Sequence, residues 1–166
     1  VVVDRGQKST LTLPDGSKEW VNSATEVSYS SDYNVKDRNV YLSGEAYFEV
    51  ASGNELPFVV HAHDLQVTAL GTRFNIKAYS EDNTVTTTLV EGKVSTETGE
   101  SSQVLYPYHE ALYDKKSGCI KVSEVEDRLH VIPWMKDEIL FDDDSLEEIA
   151  VMLERMYNVN VVFSCE

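Results

Sequence analysis

Apolar and polar residues alternate along most of the first three-quarters of the chain. From Thr10 to about Val122 the apolar positions recur every second residue, as in the run Ala46, Phe48 and Val50. This period is typical of strands with one buried face, and the frequent threonines suit a pleated surface. Glycine-containing turns separate the runs. The pattern predicts many short strands and no helix in this part of the chain.

Closely spaced strands without intervening helices predict an antiparallel or solenoid-like all-β body, organised as a multi-stranded β-sandwich or as stacked sheets. Three segments are loosely alike, each a strand, a glycine turn and a strand: LTLPDGSKEW, VYLSGEAYFEV and TTLVEGKVST. Their starts are unevenly spaced, so they do not establish a strict repeat. We assign residues 1–135 to this predicted domain.

The apolar period changes from two to that of a helix after residue 136. Ser145 and Glu148 have the spacing of a capping box, and Asn158 is a candidate left-handed C-cap. Between them runs an apolar stripe at helical spacing, made of Leu146, Ile149, Ala150, Leu153 and Met156 or Tyr157. The acidic residues 142–144 precede the helix, where its dipole favours negative charge.

Short apolar runs flank this predicted helix. Ile139 to Phe141 and Val159 to Phe163 are interpreted as strands, which makes residues 136–166 a partial βαβ unit. Two strands and one helix bury little surface alone. The helix is therefore expected to pack on the β body, on residues beyond Glu166 or on a partner. The boundary between the two parts is predicted near Pro133 and Trp134.

Charge narrows the possible partners. The chain has 166 residues, with 14 basic and 29 acidic side chains and a net charge of −15. Residues 136–166 alone carry −7, from two basic and nine acidic groups. Such acidity argues against nucleic acid and against anionic membranes. No apolar stretch approaches the roughly 20 residues that cross a bilayer. Since the sequence opens on VVVDRG, we expect a soluble piece of a longer protein, with any anchor outside it.

Side chains capable of chemistry are scattered. His61 and His63 lie two apart on a predicted strand, so they would share a face, but no third ligand accompanies them, and they are expected to be surface residues. A cupin-like metal site that uses them is an alternative.

Cys119 and Cys165 have no metal-ligand spacing and are interpreted as two thiols, with one long-range disulfide as the alternative. No nucleotide, hydrolase or metalloprotease motif is present. The residues alone predict a non-enzymatic binding module without metal or cofactor.

Aromatic residues on the predicted strands leave a second class of function open. A surface of exposed rings could stack on sugars, which would make the chain a carbohydrate-binding β-sandwich module. Aromatic side chains on strands are more commonly core or cross-strand pairs. The candidates for such a surface are Trp20, Tyr29, Tyr33, Tyr41, Tyr47 and Tyr106.

Five motifs in order carry a resemblance to a known family: LPDGS (13–17), LSGEAYFEV (42–50), PFVV (57–60), VTALGTRFNIKAY (67–79) and TTLVEGKV (87–94). Together they resemble the periplasmic domain of FecR-family anti-sigma factors, in the variety found in Bacteroidota. The segment LFDDDSLEEIAVMLERMYNVNVVF is similar to the start of that family's C-terminal subdomain, which is related to the short N-terminal fold of secretins and TonB-dependent proteins.

This resemblance implies a single-pass inner-membrane regulator. An N-terminal cytoplasmic segment, outside this sequence, would hold an extracytoplasmic-function sigma factor. Residues 1–166 would lie in the periplasm and contact the signalling domain of a TonB-dependent outer-membrane transporter. Transporter occupancy would lead to proteolysis of the regulator and release of the sigma factor.

Two sets of residues become candidate sites if the resemblance holds. Val159, Val161 and Phe163 alternate on a predicted edge strand that a partner's strand could extend, unless residues beyond Glu166 cover it. Gly71 and Thr72 match the position at which some family members cleave themselves by an N→O acyl shift, which a strained turn would assist. A Gly turn followed by a strand residue explains the same pair without chemistry.

Overall fold

The computed structural model describes residues 1–99, 101–127, 131–141 and 143–164. Within them, thirteen strands form one large, nearly closed sheet, followed by a short 3₁₀ helix at Pro133–Lys136 and one α-helix, α1, at Leu146–Tyr157. The strands are β1 (Val2–Val3), β2 (Ser9–Thr12), β3 (Lys18–Val21), β4 (Thr25–Tyr29), β5 (Arg38–Glu49), β6 (Phe58–Ala62), β7 (Leu65–Ala69), β8 (Arg73–Ala78), β9 (Thr84–Glu91), β10 (Val94–Glu97), β11 (Ser102–Leu105), β12 (His109–Asp114) and β13 (Ile120–Glu124).

The long strand β5 belongs to both halves of the sheet. Its first half pairs with β4 on one side and with β6 on the other. β1 pairs with β4, while β7, β10 and β11 follow β6 in that order; we call this half sheet A. Its second half pairs with β3 and β8, and the strands beyond them are β2, β9, β12 and β13; we call this half sheet B. The predicted mainly β fold with a C-terminal helix is confirmed.

The core lies between the two sheets. Alternate residues of β5 point inward, and Phe48 packs against Phe58 of sheet A and Phe74 of sheet B, with ring centroids 5.7 and 5.1 Å apart. All strand pairs are antiparallel except β5 and β6, which run parallel because residues 50–57 carry the chain back to the start of β5. This pair departs from the antiparallel pattern expected of such closely spaced strands.

A buried ion pair ties the β2–β3 turn to β5. The Arg38 guanidinium donates from Nε to the Asp15 carboxylate at 2.8 Å, and Ser17 donates from its backbone N to the same group at 3.0 Å. Both charged side chains are buried. Burial acts to raise the pKa of Asp15, but the hydrogen bonds from Ser17 and Arg38 outweigh it and lower that pKa. The LPDGS motif therefore has a structural role here.

The C-terminal part has the predicted helix but not the predicted strands. Ser145 and Glu148 form the capping box, and Asn158 is left-handed with φ 52° and ψ 46°. In the structure, residues 139–141 and 159–164 form no strand, so the βαβ interpretation was wrong in its two strands. A strand needs a ladder partner, and neither segment has one among the described residues.

Candidate functional site

The 3₁₀ helix at Pro133–Lys136 and helix α1, together called the C-terminal segment, lie on the outer face of sheet B. Trp134, in the 3₁₀ helix, is buried and donates from Nε1 to Oδ1 of Asn75 on β8 at 3.1 Å. Asn75 in turn donates from its amide to Glu45 Oε1 on β5 at 2.9 Å. Asn22 donates to the other oxygen of Glu45, also at 2.9 Å. A chain of side-chain hydrogen bonds thus links the segment to the centre of sheet B.

Arg155 attaches helix α1 to the β8–β9 turn. Its side chain is nearly buried and donates from Nε to Glu81 Oε1 at 3.0 Å and from Nη2 to Asp82 Oδ1 at 2.5 Å. The guanidinium also lies over the ring of Tyr79, 3.8 Å from its centroid. A buried arginine must have such partners, because an unpaired buried charge is costly. Arg155 is one of only two basic residues in the C-terminal part.

The N-terminal loop between β1 and β2 also contacts the C-terminal segment, through Gly6 and Lys8. Lys8 donates to the Trp134 carbonyl oxygen at 2.7 Å and pairs with the Asp137 carboxylate. The Gly6 backbone N donates to the Arg155 carbonyl oxygen at 2.8 Å. Gly6 has φ +72° and lies so close to Asn158 that an added Cβ would be 3.1 Å from the Asn158 Cβ. Residues from both ends of the chain therefore meet in this set of contacts around Arg155 and Lys8, which we call the clamp.

A cavity of about 350 Å³ lies between the segment and sheet B. Its floor is polar, with Glu45, Lys77 and Glu110, while Met152 and Met156 contribute apolar surface from the helix. Burial raises the pKa of Glu45, against the effect of the Asn75 and Asn22 hydrogen bonds. Burial also raises the pKa of Glu110, against the hydrogen bond from Thr88. The interface is thus polar and incompletely filled, unlike the core between the sheets.

The predicted docking residues lie just beyond the clamp. Asn158 ends helix α1, and the residues that follow it, 159–164, are called the tail. Val159 and Phe163 are exposed to 46% and 55%, whereas Val161 is half-buried. The Val161 backbone N donates to Glu154 Oε1 at 2.9 Å. The structure therefore brings apolar groups to the surface here, and their role in docking stays a prediction.

Gly71 and Thr72 lie between β7 and β8. Gly71 has φ +59°, and Thr72 is fully buried. The Thr72 hydroxyl lies 3.0 Å from the Leu70 carbonyl oxygen and 3.1 Å from that of Lys93, and it can donate to either. In an acyl shift, Thr72 Oγ1 would bond to the Gly71 carbonyl carbon as the peptide C–N bond breaks and the nitrogen gains a proton. Self-cleavage stays a prediction for this pair.

Intact mass spectrometry tests this prediction. Self-cleavage would give two fragments that separate between Gly71 and Thr72, after hydrolysis of the ester that the shift forms. Thr72→Ala, which removes the nucleophile, should then give a single full-length species, while Thr72→Ser should still be cleaved. A single full-length species from the unsubstituted chain would contradict self-cleavage.

The two histidines lie in different surroundings. His61 is on β6, where its ring stacks on Tyr41 at 4.8 Å between centroids and its Nε2 lies 3.1 Å from Asn39 Oδ1. His63 is in the following turn with φ +54°. Among the described residues, no three histidine, cysteine or acidic side chains come together as metal ligands. Cys119 is an exposed free thiol, while Cys165 and Asp142 lie outside the described residues.

The aromatic residues do not form one surface. Tyr33 and Tyr47 are buried, the latter with its ring 5.6 Å from that of Trp20 on the outer face of sheet B. Tyr41 is exposed on the outer face of sheet A. Tyr29 packs on Tyr33, and Tyr106 is exposed near His109. A sugar-stacking platform built from all six rings is therefore not formed.

The sequence patterns do not predict the clamp, because Arg155, Lys8, Asn75 and Glu45 are each an isolated polar residue within a helix, loop or strand pattern. One signal in the sequence points to Arg155: it is a basic residue in a mostly acidic segment, and it lies between Leu153 and Met156 of the helical apolar stripe. A lone cation next to a helical apolar face is a candidate for ion pairing with the surface that the helix covers.

The described chain is thus a β-rich domain with a helix clamped to its outer face. Comparison with protein-family models gives its family: the FecR protein model matches residues 1–95, and the FecR C-terminal model matches residues 138–166. The chain belongs to the FecR family. Within the described residues, no helix has the length and apolar character needed to span a bilayer.

Solved structures agree with this assignment. Two crystal structures of a candidate anti-sigma factor from Parabacteroides distasonis, at 1.65 and 2.50 Å, match with a TM-score of 0.88 and 32% sequence identity. Each match covers 95% of this chain and 74% of that protein. The comparison with curated proteins found no match.

Proposed function

We propose that this chain is the signal-sensing region of a transmembrane anti-sigma factor, located in the periplasm. It receives a signal from the signalling domain of a TonB-dependent outer-membrane transporter and thereby controls an extracytoplasmic-function sigma factor. Membership of the FecR family and the likeness to a candidate anti-sigma factor support the regulatory role. The sigma factor would bind a cytoplasmic segment of the same regulator, outside residues 1–166. In this role the chain recognises a protein and needs no catalytic group or cofactor.

The observation that carries the transporter contact is the exposed apolar tail. Val159 and Phe163 expose about half of their surface at the end of the region that the FecR C-terminal model matches. Exposed apolar groups at a free backbone edge are suited to strand addition by a partner. The negative charge of residues 136–166 would favour a partner surface that carries lysine or arginine.

Binding measurements test this proposal. The probe is the purified N-terminal signalling domain of a TonB-dependent transporter from the same organism. We expect calorimetry to detect a complex that weakens about tenfold or more in the double variant Val159→Ser, Phe163→Ser, because removal of exposed apolar anchors costs affinity without affecting the core.

Val35→Ser is the matched control, since Val35 is 79% exposed in a loop between β4 and β5. Its affinity should equal that of the unsubstituted chain. Absence of any complex, or equal losses in the control and the double variant, would contradict the transporter contact at the tail.

A further inference from the structure

The N-terminal loop, residues 4–8, has few polar contacts with the sheets and their turns. The strand before it, β1, has only two residues. From the β3–β4 turn, the Ser23 hydroxyl donates to the Gln7 carbonyl oxygen at 2.8 Å, and the Ala24 backbone N donates to the Asp4 carbonyl oxygen at 3.3 Å. The other described hydrogen bonds and ion pairs of the loop lie within it or reach the C-terminal segment. The order of the loop therefore depends on that segment.

Both cationic side chains of the loop reach acidic groups of the C-terminal part. Arg5 Nη1 lies 3.6 Å from Glu154 Oε2 on α1. Lys8 pairs with Asp137, which ends the 3₁₀ helix. The loop thus turns positive charge toward residues 136–166, whose net charge is −7. Because salt screens exposed charges over about 10 Å, these attractions act only while the segment lies against the loop.

The segment itself is held on sheet B by few buried groups. Ala150 and Arg155 are the buried residues of α1, and Trp134 is that of the 3₁₀ helix. The Arg155 guanidinium regains hydration when it leaves Glu81 and Asp82, which offsets part of the lost ion pairing. The cavity of about 350 Å³ beneath the segment reduces its packing contacts further. The segment should therefore leave sheet B at a lower free energy than that at which the two sheets separate.

We propose that the N-terminal loop and the C-terminal segment open and close together as one unit, while sheets A and B stay folded. In the closed state the clamp is formed. In the open state the segment has left sheet B, and the loop has lost all of its partners on that segment at once. A ligand that binds one of the two parts in only one of these states therefore shifts the other part as well.

The use of this coupling in signalling rests on the proposed function. A transporter domain that carries lysine or arginine would compete with Arg5 and Lys8 for the carboxylates of Glu154 and Asp137. Its binding should favour the open state and free the N-terminal loop. A contact made at the C-terminal segment would then be transmitted to the N-terminal loop without any change in the sheets.

Amide hydrogen exchange in Arg155→Met tests the coupling without any partner. Methionine keeps the helix propensity and removes the charge. The described partners of the Arg155 side chain all lie in the β8–β9 turn, outside the loop. We still expect about tenfold or more faster exchange at the Gly6 amide, whose acceptor is the Arg155 carbonyl oxygen. The Leu153 amide should accelerate equally, because a detached helix of twelve residues is marginal in water.

Two readouts separate this opening from general destabilisation. The amide of Ile76, a fully buried residue of β8 between β5 and β9, should keep its rate in Arg155→Met. Arg73→Met is the matched control, because it removes an arginine whose described ion pairs are with Glu49 and Glu91 of sheet B. This control should leave the exchange of both the loop and α1 unchanged.

Lys8→Met tests the coupling in the opposite direction. The described partners of Lys8 lie at the 3₁₀ helix, yet the Leu153 amide of α1 should exchange about tenfold or more faster in this variant. An unchanged Leu153 rate in Lys8→Met would overturn the coupling. So would an unchanged Gly6 rate in Arg155→Met, whether or not Leu153 accelerates there.

Exchange in the complex tests the use in signalling. With the purified transporter signalling domain bound, the Gly6 amide should exchange about tenfold or more faster than in the free chain. An equal or slower rate would overturn the release of the loop and leave the transporter contact standing. If the signalling domain does not bind at all, the proposed function fails, while the exchange rates of Arg155→Met and Lys8→Met still decide on the coupling.

Discussion

The variant Gly44→Ala is expected to lose about 4 kcal/mol or more of folding free energy, or to fail to fold, because a steric overlap and backbone strain add up. Gly44 lies where β5 passes from sheet A to sheet B and has φ +121°. An added Cβ would lie 2.6 Å from the Thr25 Cβ and 2.7 Å from the Thr25 Cα. Backbone atoms of two paired strands would have to move to relieve that overlap.

Thr25 cannot simply turn away from Gly44. Its Oγ1 accepts a hydrogen bond from the Glu45 backbone N at 2.9 Å and lies 3.2 Å from the Ser23 carbonyl oxygen. These contacts fix the corner at which sheets A and B share β5. The overlap at Gly44 would therefore act on both sheets and on Glu45, which holds the C-terminal segment through Asn75.

Gly53→Ala is the matched control for backbone conformation. Gly53 also has positive φ, +82°, but an added Cβ there would meet nothing within 4 Å. This variant should lose only about 1 kcal/mol, the cost of the left-handed backbone with a side chain. Chemical denaturation of both variants measures the difference. Similar losses in the two would show that the contact with Thr25 does not limit position 44.

A second large effect is expected from the buried carboxyl group of Glu19. Glu19 is fully buried, points into the core from β3, and neither carboxyl oxygen has a hydrogen-bond partner among the described residues. Burial, with a smaller contribution from the Asp15 charge, raises the pKa of Glu19 to about 7 from an ordinary value of 4.5. Between pH 4.5 and 7, the folded chain therefore keeps a proton on Glu19 that the unfolded chain has released.

The sign of the pH effect follows from this difference. Between pH 4.5 and 7 the folded state binds more protons at Glu19 than the unfolded state, so stability falls as pH rises. From pH 5 to pH 8, Glu19 should lower the free energy of unfolding by about 2.5 kcal/mol. Above the folded-state pKa the loss is complete, and below the unfolded-state pKa it is absent.

Comparison with Glu19→Gln isolates this contribution. The variant should gain stability relative to the unsubstituted chain as pH rises, by about 2.5 kcal/mol between pH 5 and pH 8. Glu26→Gln, which removes one charge at an exposed position of β4, controls for net charge. Urea denaturation at a series of pH values provides the measurement. A constant difference between Glu19→Gln and the unsubstituted chain would show that Glu19 does not titrate in this range.

Strand patterning predicted the β body well because most strands have one apolar face. Strand β3 departs from this simple pattern, since Glu19 and Val21 point into the core while Trp20 packs on Tyr47 outside. Pairing with β5 fixes the register of the whole strand, and this overrides the preference of a single residue.

In the C-terminal part, local features can be predicted from the sequence, but contacts between distant residues cannot. The capping box and the left-handed Asn158 are local features, so they could be inferred directly from Ser145, Glu148 and Asn158. Whether residues 139–141 and 159–163 form strands depends on partners that the pattern does not contain. The clamp formed by Arg155 and Lys8 depends on contacts far apart in sequence, which one sequence alone does not reveal.

The clamp gives the tail a short mechanical connection to the opposite end of the chain. A pull on residues 159–164 passes through α1 and reaches Arg5 and Gly6 directly, by way of Glu154 and the Arg155 carbonyl. These contacts join the loop between β1 and β2 to the end of α1 directly, without passing through the core between the sheets.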